Sequence, residues 1–309
     1  MSSIVVYHYV ESPVSQLVRW YLALREIDHS QCLQPMTRPR PDVAILGVGY
    51  RLIPLVAIDR DIFCDTPLIL DELEARTKGQ ERTTPKVTAG DSHERFLRQW
   101  STESVFPAVV PILPSNMPML SDEFLRDRAQ LTGPSLTRDQ RKLLRPMGLS
   151  KLRQEFHFVE TVLLAEDQLW ILGTSEPSLG DLYAVWPFAW AISIPGALDG
   201  RFVSIATERS RAIKVTTVNG ENARQAILGS SFRVDAEVFD KLDPCGYRLD
   251  SLVEVSPTDW GKNNPTRGKL VGLSVQEYIL EVEEKSGGAL RVHFPRRGFA
   301  LKPVSTSKI

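Results

Sequence analysis

Apolar positions along this chain change their spacing twice, and each change predicts a different kind of structure. Residues 4–9 (Ile-Val-Val-Tyr-His-Tyr) are β-branched and aromatic, as a strand requires. Ser12-Pro13 follows, with Ser at a cap position and Pro at a first helical position, and Val14, Leu17, Val18, Tyr21 and Leu22 then recur at helical spacing. A short strand near Ser30–Leu33 comes next, then Pro35, Pro39 and Pro41, the last opening a brief helix to Leu46. Strands over 53–59 and 61–64 and a helix from Thr66 to about Ala75 complete an α/β unit expected over residues 1–78. Lys78 to Gly90 is polar, lacks any period and reads as a linker.

From there the spacing turns helical. Ser92 to Ser104 is one candidate helix, and Thr137-Arg138-Asp139-Gln140 reads as a capping box. Leu152, Phe156, Val159 and Leu163 form an apolar stripe on a long helix. Ser178 and Asp181 can cap a helix through the run Leu182–Ile194, with Pro187 kinking it and Trp186, Phe188 and Trp190 given to core packing. Pro107, Pro111, Pro114 and Pro118 argue for irregular chain between them. An all-helical region is thus expected over 88–240. After Asp243-Pro244 the period shortens to two: Tyr278, Leu280 and Val282 alternate with Ile279, Glu281 and Glu283, and Leu290, Val292 and Phe294 with Arg291 and His293. Gly287-Gly288 between those runs signals a hairpin, and Arg296-Arg297 reads as a solvated tip. Residues 243–309 are expected to form a small β-rich appendage of about five strands.

Composition narrows the function classes. With 42% apolar and 24% charged residues in 309, the chain reads as a soluble globular protein with ample core. A net charge of −1 offers no field for nucleic acid or an acidic membrane. Cys32, Cys64 and Cys245 are odd in number and far apart, which argues against a disulfide framework and fits a reducing, cytoplasmic setting. Cys32 and Cys245 are expected to be inert buried groups and Cys64 a core thiol. No run approaches the ~18 apolar residues of a membrane span. The end, Ser307-Lys308-Ile309, is one residue away from a peroxisomal address. His8, His29, His93, His157 and His293 show no metal-ligand spacing, and no CxxC, HExxH, GxSxG or phosphate loop occurs, so no metal is expected.

One stretch does point to chemistry. Ile53-Pro54 heads a buried-looking strand, where Pro supplies no ladder N–H, and a cis bond there would turn the chain and free the backbone of Ile53 for a ligand. Asp65-Thr66 opens the next helix. Ile53 can pair with an extended peptide, the amides at Thr66 can take a carboxylate, and Asp65 can hold an ammonium group. A thiol on such a ligand would lie at the mouth of the first helix beside Ser12, where a helix N-terminus and a hydroxyl donor favour thiolate.

Residues 1–76 resemble the N-terminal domain of glutathione S-transferases. Ser12-Pro13-Val14-Ser15-Gln16-Leu17-Val18-Arg19 resembles the helix-opening segment of the Ser- and Cys-type classes, Ile53-Pro54 the family's Val-Pro, and Asp65-Thr66-Pro67-Leu68-Ile69 its Glu-Ser-x-Ala-Ile. Ser178-Leu179-Gly180-Asp181 resembles a capping element of the helical domain. The words Arg40-Pro41-Asp42, Gly47-Val48-Gly49-Tyr50-Arg51 and Cys64-Asp65-Thr66 resemble a fungal subgroup with an extra C-terminal domain. The resemblance implies a thioredoxin-like domain, an all-helical domain and glutathione as co-substrate. It also implies a homodimer and an attack by bound thiolate on a small electrophile, by conjugation or isomerisation. Ser12 would steady the sulfur, or Tyr9 in its place, with Ile53, Pro54, Asp65 and Thr66 holding the tripeptide. Ser rather than Cys at position 12 speaks against thiol transfer, and Glu11 would disfavour thiolate unless it points away. The alternative is a non-catalytic, transferase-like interaction module.

Overall fold

The computed structural model describes residues 3–77, 90–114, 117, 120–132, 137–165, 168–198, 214–232 and 238–304. Residues 78–89 of the expected linker, Pro118 and the C-terminal tripeptide fall outside them.

The first unit forms as expected. It comprises β1 (Ile4–His8), α1 (Pro13–Leu24), β2 (His29–Leu33), a single turn α2 (Pro41–Ala44), β3 (Leu55–Ile58), β4 (Asp61–Cys64) and α3 (Thr66–Thr77). β1 runs parallel to β2 and antiparallel to β3, and β3 antiparallel to β4. This is a thioredoxin-like sheet. All four residues of β3 and all four of β4 are buried, because both faces of the sheet are covered. Leu17, Val18, Tyr21 and Leu22 of α1 and Ile69, Leu70 and Leu73 of α3 cover one face, against Val56, Ile58 and Phe63.

Helices lie on that face. α4 (Gly90–Trp100) passes through a π turn (Ser101–Val105) into α5 (Phe106–Val109) and a 3-10 turn (Val110–Ile112). The irregular chain expected at Pro107 and Pro111 is therefore helical; the wide π turn ahead of Pro107 and the 3-10 turn at Pro111 accommodate their missing N–H groups. α6 (Asp122–Thr132), α7 (Arg138–Phe158, with a π turn Val159–Leu163) and α8 (Leu179–Ser193) follow. Thr137 and Gln140 make the expected capping box. So do Ser178 and Asp181, and the buried Asp181 carboxylate accepts from the backbone N–H groups of Ser178 (2.8 Å) and Ile171 (2.7 Å). Asp181→Ala strands both amides and should cost about 2 kcal/mol, read as a lowered midpoint in urea unfolding. Trp186 and Phe188 are buried and Trp190 packs beside them, as core residues.

Helix does not continue to residue 240. Val215–Thr217 form β5, parallel to β2, and Gly220–Leu228 form α9, capped by Asn219. A run of three β-branched residues carries no readable period, and its partner His29–Gln31 lies far back in the chain. α9 buries Ala223 and Ile227 against the face of the sheet opposite α1.

Five strands follow, the number expected: β6 (Leu252–Pro257), β7 (Thr266–Leu273), β8 (Glu277–Glu283), β9 (Ala289–Pro295) and β10 (Phe299–Pro303). Gly287, at φ 91°, makes the β8–β9 hairpin. These strands continue the first sheet: β9 pairs parallel with β4, Ile62 opposite Val292 and Phe63 opposite His293. The whole forms one ten-stranded sheet in the order β10-β6-β7-β8-β9-β4-β3-β1-β2-β5. Pairing of β4 covers an edge that would otherwise expose unpaired backbone. Leu290, Val292 and Phe294 join Leu55, Ala57, Ile62 and Cys64 in a single core.

Three side chains depart from expectation. His293, placed by alternation with the exposed set, is buried because β9 is covered on both faces: it stacks on Phe63 (4.3 Å between rings) and bonds Asp61 and Glu277 at 3.0 Å each. Arg296 is no solvated tip but an anchor, bonded to Asp243 and to the Ser274 carbonyl (3.0 Å) and lying over the Tyr278 ring. Cys245 is exposed in a turn closed by Asp243, whereas Cys32 and Cys64 are buried.

Candidate functional site

Three segments meet where β1 ends. The strand registers set Tyr7 opposite Leu55 and Leu55 opposite Cys64. Tyr9 follows β1, Ile53 lies two residues before β3, and Thr66 two residues after β4. The Ile53–Pro54 bond is cis, as expected. Ser12 closes the turn after β1, its N–H donating to the Tyr9 carbonyl at 3.2 Å.

Ser12 caps α1. Its Oγ accepts from the Ser15 N–H (3.2 Å) and from the Ser15 hydroxyl (2.8 Å). With both acceptor positions engaged, the Ser12 hydroxyl hydrogen remains for donation, and the bond from Ser15 polarises it toward a stronger donor. Ser12 is nearly buried, at 3% exposure, whereas Tyr9 is half-buried and Glu11 exposed. The Tyr9 hydroxyl accepts from Arg128 of α6 at 3.2 Å. α1 carries no acidic residue in its first turn, so its dipole faces the mouth unopposed from within the helix.

Asp65 and Thr66 open α3. Asp65 holds φ 73°, a left-handed conformation that a residue other than glycine keeps only where its surroundings fix it. Its carboxyl is pushed up to about 6: burial is the largest cause, the Thr66 N–H opposes it, the charge of Asp259 adds to it and Arg98 opposes it. A desolvated carboxylate facing a second acid suits an incoming cation. Cys64 beside it is a core thiol, pushed up by burial and then by Asp65, and takes no part at the mouth.

No motif in the sequence marks the fourth wall, the β6–β7 loop at residues 258–265. Gly49 approaches it so closely that a Cβ would lie 2.0 Å from the Pro265 carbonyl oxygen, which only glycine permits. Thr266 Oγ1 accepts from the N–H groups of Gly49 (3.0 Å) and Tyr50 (3.1 Å). Asn264 accepts from Arg38 (2.8 Å), and the Trp260 ring lies 6.4 Å from Phe106 of the helical layer. The C-terminal strands thereby bring a loop against the segment that precedes β3 and against the helices. Two hollows, about 400 Å³ beside Pro146, Met147 and Lys151 and about 290 Å³ between Pro111, Arg141 and Arg145, lie on the helical layer away from it. Among the described residues no group of three His, Cys, Asp or Glu is placed to hold a metal, and no helix is long and apolar enough to cross a membrane.

Comparison with known proteins bears on these features. The family model for the glutathione S-transferase N-terminal domain matches residues 6–81, and one for a domain of unknown function (DUF7962) matches residues 108–209. A search of curated proteins finds no match. Among solved structures, a GST-like protein from Pseudomonas syringae is similar, with TM-score 0.71 and 22% identity, over 98% of this chain and 100% of that one. A glutathione S-transferase from Sinorhizobium meliloti aligns with TM-score 0.47 and 19% identity, over 69% of this chain and 96% of that one. A human theta-class transferase in complex with the glutathione conjugate of 1-menaphthyl sulfate aligns with TM-score 0.48 and 13% identity, over 64% and 76%. Residues 6–81 thus match the model of the glutathione S-transferase N-terminal domain, and the chain shares its fold over nearly its whole length with a GST-like bacterial protein.

Proposed function

We propose that this protein binds glutathione where Ser12, Ile53 and Thr66 meet and transfers it to a small electrophile. What supports the reading is that Tyr7, Leu55 and Cys64 pair side by side, so that the end of β1, the start of β3 and the end of β4, which lead to Ser12, Ile53 and Thr66, lie at one end of the sheet. Glutathione would lie extended along Ile53, its α-carboxylate on the Thr66 amide and its α-ammonium on Asp65. Its thiol would reach the Ser12 hydroxyl and the start of α1, which favour thiolate. The thiolate then attacks an electrophilic carbon, forming a C–S bond as the leaving group departs with its electron pair. In an isomerisation the thiolate would instead add to an activated carbon–carbon double bond, the adduct would rotate about the resulting single bond, and re-formation of the double bond would expel glutathione thiolate.

A second reading is favoured by the burial of Ser12 (3% exposed) and Thr66 (6%). There the protein keeps the fold without the reaction. Retention on glutathione resin with elution by free glutathione, followed by conjugation of 1-chloro-2,4-dinitrobenzene, separates the two: binding with turnover supports the enzyme, binding alone the module, and no binding overturns both the site and the reaction.

Asp65 gives the site a pH dependence. It pairs with an ammonium group only when ionised, and in the free protein it ionises at about 6. Glutathione affinity should be steady above that value and fall by up to about tenfold per pH unit below it. Titration calorimetry across the acid range measures this, and Asp65→Asn should flatten the profile.

A further inference from the structure

Two arginines are buried among the described residues, and they are held in different ways. Arg51, ahead of β3, is 7% exposed and pairs with the Asp127 carboxylate at 2.9 Å. Arg141, near the start of α7, is 8% exposed and meets no carboxylate among the described residues. Its Nη1 donates to the Val110 carbonyl (3.3 Å), its buried Nε has no partner, and its Nη2 makes no hydrogen bond among those residues. Arg145, one turn further along α7, donates to the carbonyls of Ile112, Gly196 (3.0 Å) and Ala197 (2.8 Å), again to no carboxylate. Lys142 is exposed and reaches only the exposed Asp139, at 3.6 Å. These three cations line one hollow of about 290 Å³, whose opposite wall is Pro111, Leu113 and Pro114.

A buried guanidinium is held in place by an anion, or its burial costs stability. Burial draws the Arg141 guanidinium down from its ordinary value. A structural arginine is fixed as Arg145 is, by bonds in several directions that tie the chain after α5 to the chain after α8. Arg141 makes one long bond and ties nothing comparable together, so its burial is not explained by the scaffold. An anionic ligand explains it, because a planar guanidinium grips oxyanions through paired N–H donors. Lys142 adds a second charge, since a solvated pair such as the one with Asp139 holds it only weakly. The facing wall offers two proline rings and a leucine, which suit an apolar body rather than a second charge. The hollow is at the small end of ligand sites, with room for about one ring and its headgroup.

We propose that this hollow binds a small organic anion, its oxyanion held by Arg141 and Lys142 and its apolar body lying against Pro111, Leu113 and Pro114. The site is on the helical layer, away from Ser12 and Thr66, and stands independently of the transferase reading. Phenyl phosphate, inorganic phosphate and benzyl alcohol separate the headgroup from the body. In calorimetric titration of the full chain at neutral pH, one phenyl phosphate should bind per chain. It should bind at least about tenfold more tightly than benzyl alcohol, the scale of one charge-assisted hydrogen bond, and more tightly than inorganic phosphate. Its affinity should fall as salt is added. Arg141→Gln should weaken it at least about tenfold and Lys142→Gln, at an exposed position, about threefold. Arg267→Gln, which removes an exposed pair with Glu254 on β7, should leave it unchanged. Phenyl phosphate should also raise the urea midpoint of the native protein but not that of Arg141→Gln. Saturating glutathione should not displace it.

Equal affinity for phenyl phosphate and benzyl alcohol, or no binding heat at millimolar phenyl phosphate, overturns the anion site. Inorganic phosphate bound as tightly as phenyl phosphate overturns the assignment to an organic anion. Binding that survives both α7 variants but weakens in Arg38→Gln, whose side chain reaches Asn264 instead, overturns the proposal by placing the anion elsewhere. Displacement by glutathione overturns it by giving the anion to the site assigned to the tripeptide. Lys142→Gln carries the decision where Arg141→Gln does not fold.

Discussion

Replacing His293 with alanine should cost about 3–5 kcal/mol, because it breaks a buried charge cluster that joins β4, β8 and β9. His293 on β9 bonds Asp61 on β4 through Nε2 and Glu277 on β8 through Nδ1, both at 3.0 Å, with Asp61 fully buried. It thus bridges the first sheet and the C-terminal strands at the β4–β9 pairing. Burial alone would hold the imidazole neutral, but the hydrogen bonds to Asp61 and Glu277 and their charges outweigh it, and the net shift is upward from 6.5. A pKa raised in the folded protein gives stability that is complete below the unfolded value of about 6.5 and disappears as pH rises through the folded value. The difference between the native protein and His293→Gln in urea should therefore be largest in mildly acid solution and shrink in alkaline solution. A difference independent of pH would mean that His293 acts there as a neutral, packed ring.

Ser12→Ala should lower the turnover of conjugation by about a hundredfold, the usual effect of losing one donor to a reacting anion. The same change also removes a helix cap, worth about 1 kcal/mol, and leaves the Ser15 hydroxyl without its acceptor. Ser12→Gly separates the effects, since glycine caps within a few tenths of a kcal/mol of serine. Its urea midpoint should stay close to that of the native protein while turnover falls as in the alanine variant. Tyr9→Phe should have the smaller effect on turnover. The reverse ranking would hand the sulfur to the Tyr9 hydroxyl, which Arg128 already polarises.

Local chemistry is legible in the sequence, and pairing between distant residues is not. Ser12-Pro13, Thr137 to Gln140 and Ser178 to Asp181 announce helix starts because a cap is made by neighbours within four residues. The cis bond before Pro54 and the helix start at Thr66 are equally readable, since each is set by its own residues. Pairing of β4 with β9 is not, for it joins positions about 230 apart and leaves no mark on either strand. Alternation misplaces His293 for the same reason: it describes a strand covered on one face, and β9 is covered on two. Asp127 reads as an ordinary helix acid until Arg51, 76 residues away, is seen buried against it. The loop at 258–265 carries no motif. Its place is set by the close approach of Gly49 to Pro265 and by the packing of Trp260 near Phe106.

The most direct test of glutathione binding at this site is calorimetric titration of the full chain with reduced glutathione at neutral pH, beside Thr66→Ala. One molecule should bind per chain, with affinity reduced at least about tenfold in the variant, where the Thr66 hydroxyl no longer donates a charge-assisted hydrogen bond to the ligand's carboxylate. Absence of binding heat from the native protein at millimolar glutathione, with Thr66→Ala indistinguishable from it, would contradict the assignment.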